Sequence, residues 1–466
     1  MHEIGRIAIG LAMALALAVA RPAMAADGDI DSTFGTGGVA ATGISNASGG
    51  VSACGPVVQP DGKILICSTV NNVSTGSDFF VARFMPDGGL DGGFSFDGRV
   101  TIDFDAGDGA DTAMGMALHA DGRIVLVGAT QPDASSQGQD FAIVQLMPDG
   151  SLDAGFGGGS GKRTVAFDLA GGTGSDHGMD VAITADGRIL VAGTVARSQG
   201  SDFALVRLLA DGTPDASFNL TGKVTLDFDL PAGDSTDMLR RIALDDDGRI
   251  LLVGLADNGP ANADFALARL LANGQPDANF DADGRTTVGF DLGDTDSDQG
   301  INFTLQRDGR IVVVGPASVG GGGNTDIAIA RFLPDGSLDA GFGIGGRTLV
   351  PFDLIPNGQD LGLAVVEEAN GRLMLAGAAQ QSAASLAGAV ARIKPDGTLD
   401  LAFGNQGKRS YTLGLSAADS QAFLNFTWQA SRLLVSGIGV VEPLPNGIDN
   451  FVVRLDIDLL FADGFQ

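Results

Sequence analysis

The side chains in this sequence best suited to chemistry are aspartates. In the stretch DLGDTDSDQG, residues 291–300, Asp294, Asp296 and Asp298 follow a D-x-D-x-D spacing. That spacing turns alternate carboxylates toward one point, as a hard cation such as Ca²⁺ requires. The glycine comes one residue later than in an EF-hand loop, no glutamate closes the site, and no helical pattern flanks it. The expectation is therefore a generic Ca²⁺ loop, to be weighed against solvated turn aspartates. Cys54 and Cys67, the only cysteines, flank the turn QPDG and suit a disulfide across one hairpin, with two free thiols as the alternative.

Other chemistry is sparse. Past the first residues only His119 and His177 remain, far apart in sequence, too few for a zinc site or a nucleophilic triad. GTGGV and GGGG precede no helical pattern that could receive a phosphate. One Trp and one Tyr offer little for stacking sugars or bases. The expectation is that no residue is catalytic.

Charge narrows the partners. The formal net charge is −29, and all but four of the acids are aspartate. Such a chain repels nucleic acid and anionic lipid. The N-terminus reads as a secretory signal, with Arg6 before the apolar run IAIGLAMALALAVA and Ala23-Met24-Ala25 as a small-x-small cleavage site. The expected organisation is a signal peptide over 1–25 and one domain over 26–466, periplasmic or secreted, monomeric and not inserted in a membrane.

The elements that position these residues come from a repeat. Phe34, Phe94, Phe156, Phe218, Phe280, Phe342, Phe403 and Phe465 form a ladder with steps of 60 to 62 residues. Each unit carries four short segments rich in Val, Ile and Phe, punctuated by Asp-Gly, Pro-Asp-Gly and glycine clusters. No sustained helical period occurs in the repeats, so the chain is all-β. Seven four-stranded units predict a seven-bladed β-propeller. The first repeat begins with a corner and a fourth strand near Val39, and the last unit lacks a fourth strand. An N-terminal strand should therefore complete the last blade and remove two sheet edges.

The pattern QPDGKIL…DFFVARFMPDGGLDGGF at 59–94 resembles the delta-60 repeat of bacterial exported proteins. That resemblance implies a propeller-like fold and brings no established activity or catalytic residues.

Strand polarity then sorts the charges. Arg83, Arg207, Arg269, Arg331, Arg392 and Arg454 end the third strands, with Gln145 in the remaining copy. They fall beside turn aspartates such as Asp91, Asp153 and Asp339, as a ring of structural ion pairs. On the opposite rim, Asp78, Asp140, Asp202, Asp264, Asp326 and Asp449 open third strands, and Asp111, Asp176, Asp237, Asp298, Asp360 and Asp419 precede first strands. The function expected from this asymmetry is an exported, non-catalytic scaffold whose acidic loop face meets a cation, a cell surface or a protein partner. The alternative is a Ca²⁺-dependent propeller hydrolase or lactonase, which needs Asp or Asn side chains converging in the channel. The first strands, read as GMALHA, DVAITA and INFTLQ, suggest no such cluster.

Overall fold

The computed structural model describes residues 27–43, 53–72, 76–104, 109–131, 138–169, 174–228, 230, 236–259, 262–293, 297–320, 323–414, 420–440 and 448–457. The segment read as a signal peptide lies outside them.

The chain is a seven-bladed β-propeller of four-stranded antiparallel blades. Blade 2 shows the plan: strand a is Asp111–Leu118, b is Ile124–Thr130, c is Asp140–Leu146 and d is Lys162–Val165. Asp121-Gly122 joins a to b, with Gly122 at φ +90°, a conformation free of steric cost for glycine alone. Strand b is buried along its entire length, because neighbouring blades cover both faces of the sheet. Strands a line the centre: each packs on strand a of the next blade, and Gln421–Gln429 of blade 7 packs on Ala53–Val58 of blade 1. In blade 7, strand c (Ile448–Asp456) pairs with the N-terminal segments, Asp29 opposite Asp456 and Val39 opposite Val453. The last blade borrows its fourth strand from the beginning of the chain.

The repeated Pro-Asp-Gly corner is an interblade joint. Phe94 is fully buried, and its ring lies where a Cβ on Gly150 of the next corner would sit, at 2.9 Å. Phe156 with Gly212 and Phe218 with Gly274 repeat the contact at 2.8 Å. Glycine is required there by the close approach as well as by its positive φ. Above each ring lies an arginine. Arg83 stands over Phe94 at 4.6 Å, donates from Nε to Asp91 at 2.8 Å, and donates from Nη1 to the Pro148 carbonyl of the next blade. Arg207, Arg269 and Arg331 repeat this with Asp215, Asp277 and Asp339. Arg392 pairs with Asp400 and Asp27, and Arg454 pairs with Asp31 and reaches the Pro86 carbonyl. In blade 2, Gln145 bridges His119 and Asp153 instead, so His119 belongs to the corner.

The opposite rim corrects an expectation. Asp78, Asp111, Asp202, Asp237, Asp298, Asp360 and Asp449 are 0–3 % exposed and so do not contribute to an acidic face, whereas Asp168, Asp291 and Asp353 just past the ends of d strands are exposed. The cause is local. Where a d strand turns inward to the next blade, its phenylalanine amide needs an acceptor. The aspartate at the coming strand a supplies it: Phe104 donates to Asp111 at 2.8 Å, Phe167 to Asp176 at 2.8 Å and Phe228 to Asp237 at 2.9 Å. The rim aspartates latch the crossovers.

Candidate functional site in the central channel

Asp298 of the D-x-D-x-D stretch is one of these latches. Its Oδ2 accepts the Phe290 amide at 2.5 Å and its Oδ1 the Ser318 amide at 3.3 Å. Asp294 and Asp296 lie outside the described residues. Cys54 and Cys67 face each other across strands a and b of blade 1, with Cα atoms 4.9 Å apart, and are disulfide-bonded.

Two buried aspartate triads could each hold a metal ion. Asp78, Asp103 and Asp111 bring carboxylate oxygens within 4.8 Å of one another, as do Asp202, Asp227 and Asp237. The second triad has a cation of its own: Arg197 Nη2 contacts both Asp202 and Asp227, the latter at 2.8 Å. Burial still outweighs Arg197 and, with the charges of Asp227 and Asp237, raises the Asp202 pKa to about 6. Through the b–c pairing, Val70 opposite Asp78 matches Val195 opposite Asp202. Asn72 of blade 1 therefore takes the position that Arg197 holds in blade 3.

The polar cluster absent from the sequence reading lies in the channel. Strand a carries a β-bulge between Ala113 and Gly115, Gly178 and Asp180, Leu239 and Arg241, Gly362 and Ala364, and Phe423 and Asn425. Asn302 of blade 5 faces Val314 as Arg241 faces Val253, so it holds the same register position. A bulge breaks the strict alternation of faces and re-aims the residue after it. Gly115, Asp180, Arg241, Asn302, Ala364 and Asn425 thus share one layer of the channel, four polar and two small.

The four polar members are joined. Arg241 Nη2 donates to Asn425 Oδ1 at 2.8 Å, and Asn302 Nδ2 donates to the same oxygen at 3.1 Å and to the Leu363 carbonyl at 3.2 Å. Arg241 Nη1 lies 4.0 Å from Asp180 Oδ1. The Asp180 carboxylate accepts the amides of Val181 at 2.9 Å and Ile242 at 3.1 Å. Burial raises its pKa despite Arg241. Arg240, next in chain, has its pKa lowered by burial and by the Arg241 charge. Burial also lowers the pKa of nearby His177, which favours the neutral imidazole. The mostly small and apolar character of GMALHA, DVAITA and INFTLQ hides the layer, because each strand contributes only one residue to it. Aligning the strands on the residue opposite Val253 and its counterparts would have exposed it. The arrangement combines a fixed cation, amide donors and a carboxyl with raised proton affinity, the parts of acid–base and oxyanion chemistry.

A family model described as a domain of unknown function (DUF5122) β-propeller matches residues 59–94, 119–156, 184–218, 246–280, 306–342 and 368–403. No curated protein matches the chain. Among solved structures, it is similar to a polysaccharide lyase of family PL25, an ulvan lyase, at 12 % identity and TM-score 0.48, covering 88 % of this chain and 94 % of that one. The α-L-arabinofuranosidase Arb93A of Fusarium graminearum gives 10 % identity and TM-score 0.42 over 73 % and 93 % of the two chains. A puromycin-hydrolysing peptidase of Mycobacterium tuberculosis gives 13 % and 0.44 over 94 % of this chain and 57 % of that one. These neighbours are enzymes and lend no support to the non-catalytic scaffold expected from the charge asymmetry. At these identities the likeness speaks for the architecture alone. The chain is a seven-bladed propeller in which six repeats match the DUF5122 β-propeller model.

Proposed function

We propose that this protein is a propeller hydrolase whose reaction centre is the channel layer of Asp180, Arg241, Asn302 and Asn425, acting on an ester or lactone. The observation that carries the reading is the Arg241–Asn425 hydrogen bond beside Asp180, which fixes a guanidinium next to a carboxyl group in the channel. In the proposed reaction Asp180 takes a proton from water as the water oxygen bonds to the acyl carbon. Arg241 stabilises the oxyanion that develops. The carbon–oxygen bond then breaks, and the leaving alkoxide takes the proton back from Asp180. The products are a carboxylic acid and an alcohol. An esterase and lactonase screen tests the proposal: Asp180→Asn should lower kcat about 100-fold or more at unchanged melting temperature. Turnover that survives this substitution refutes it.

A Ca²⁺ role has a separate observation behind it. The carboxylate oxygens of Asp78, Asp103 and Asp111 lie within 4.8 Å of one another, beside Lys162, whose Nζ donates to the Asp103 carbonyl and to the Phe104 carbonyl at 3.4 Å. We place Ca²⁺ in blade 1 as a structural ion, away from the reacting atoms. Melting in Ca²⁺ and then in EDTA should shift the wild type and leave Asp78→Asn insensitive. Equal curves in both media would remove the ion from the account.

A further inference from the structure

We infer that the pocket adjoining the channel layer binds the acyl half of the substrate, with an acid end on Arg240 and an aliphatic chain among methionines, which makes medium-chain acyl esters or lactones the substrate class. This rests on the hydrolase reading above and deepens it.

The pocket lies between strands a of blades 2, 3 and 4 and has a volume of about 280 Å³, the liquid volume of about nine waters. Its wall includes Met114, Met179, Met238, Leu239, His177 and Arg240. Met114, Met179 and Arg240 are the extra residues of the three bulges, each one place before a member of the channel layer. The pocket adjoins the channel layer through the backbone of these strands, and Asp180 and Arg241 themselves do not line it. Methionine is flexible and polarisable and adapts to unbranched chains.

Arg240 gives the pocket its polarity. Its Nε is buried and, among the described residues, has no hydrogen-bond partner. Its charged neighbour is Arg241, of the same sign, and Arg241 is occupied by Asn425 and Asp180. Arg240 as a whole is half-buried, and a carboxylate would supply a countercharge to the guanidinium and an acceptor for its buried Nε. His177, held toward its neutral form, adds no second cation.

The test uses the full-length protein and octanoate as probe, with binding followed by calorimetry and by melting. Octanoate should bind, acetate and octanol should bind at least 10-fold more weakly, and Arg240→Met should weaken octanoate at least 10-fold. Arg240→Lys, which keeps the charge, should recover part of that loss and controls for folding. Octanoate binding that is absent, matched by acetate, or unchanged in Arg240→Met overturns the inference. Asp180→Asn separates the two proposals. Loss of turnover with octanoate still bound supports both. Loss of turnover where octanoate never binds sinks the pocket alone. Octanoate binding with turnover untouched in Asp180→Asn keeps the pocket and sinks the hydrolase.

Discussion

Arg241 and Asn425 are 184 residues apart and share a 2.8 Å hydrogen bond in the channel. Blade 4 and blade 7 meet there because strand a is innermost in every blade. Gly115, in the same layer, lets the backbone of the next blade approach, since a Cβ there would meet Asp180 Cα at 2.8 Å.

Asn425 acts on the reaction through Arg241, and its replacement should show that signature. Asn425→Leu removes the acceptor shared by Arg241 and Asn302. kcat for ester hydrolysis should fall about 10-fold, with KM little changed and the melting temperature nearly constant, as for an oxyanion donor displaced but not deleted. Asn425→Asp, which keeps the acceptor, should restore most of the rate. A change confined to KM contradicts this positioning role.

Stability should decline as pH rises from about 4 to about 6. Burial, with help from neighbouring carboxylates, raises Asp202 and Asp360 to about 6. A carboxyl with a folded pKa above its unfolded value contributes stability below the unfolded pKa of 3.8 and loses it as pH passes the folded value. Corner aspartates such as Asp91, Asp215 and Asp277 are lowered, because hydrogen bonds and the arginines outweigh burial. Their contribution is present above 3.8 and lost in stronger acid. Melting measured across pH should therefore peak between about 4 and 5. Asp360→Asn should flatten the neutral side and raise the melting temperature at pH 7.5 by about 2–4 °C. The crossover from blade 6 into blade 7 already uses an amide in this role, with Gln421 accepting from the Leu413 amide at 3.1 Å. A melting curve that rises steadily from pH 4 to 7 contradicts the assignment.

Cutting a corner staple should destabilise without touching turnover per folded molecule. Arg392 is 1 % exposed, pairs with Asp400 and Asp27, and stands over Phe403. Arg392→Met removes the buried cation shared by Asp400 and Asp27, leaving Asp400 to Arg372 at 3.3 Å, and should cost about 3–5 kcal/mol in urea unfolding. Arg310→Met removes a more exposed partner of Asp339 and should cost under about 1 kcal/mol. Equal losses would deny the corner arginine its special place.

The Cys54–Cys67 bridge closes a loop with a sequence separation of 13. Chain-entropy arguments give about 3 kcal/mol for a loop of that size. Cys54→Ser with Cys67→Ser should lose about that much in denaturant unfolding. Reducing agent should destabilise the wild type and leave the double variant unaffected.

The fold was legible in the sequence because it repeats. A Phe ladder, turn glycines and alternating strands need only local chemistry, and a period near 62 residues counts the blades. The chain ends also told their part, since a first strand without a partner and a last blade without an edge imply each other. Burial was not legible. Asp111 and Asp360 look like polar loop residues in the sequence, and only the inward turn of each d strand makes them acceptors for a Phe amide. The channel layer was hidden for another reason. A bulge is a backbone event that shifts facing by one residue, and it carries no composition signal in strands such as GMALHA and DVAITA. Local sequence determined the strands, the turns and the number of blades, whereas the convergence of Asp180, Arg241, Asn302 and Asn425 was decided by ring closure, because only a closed wheel brings residues from four blades to one axis.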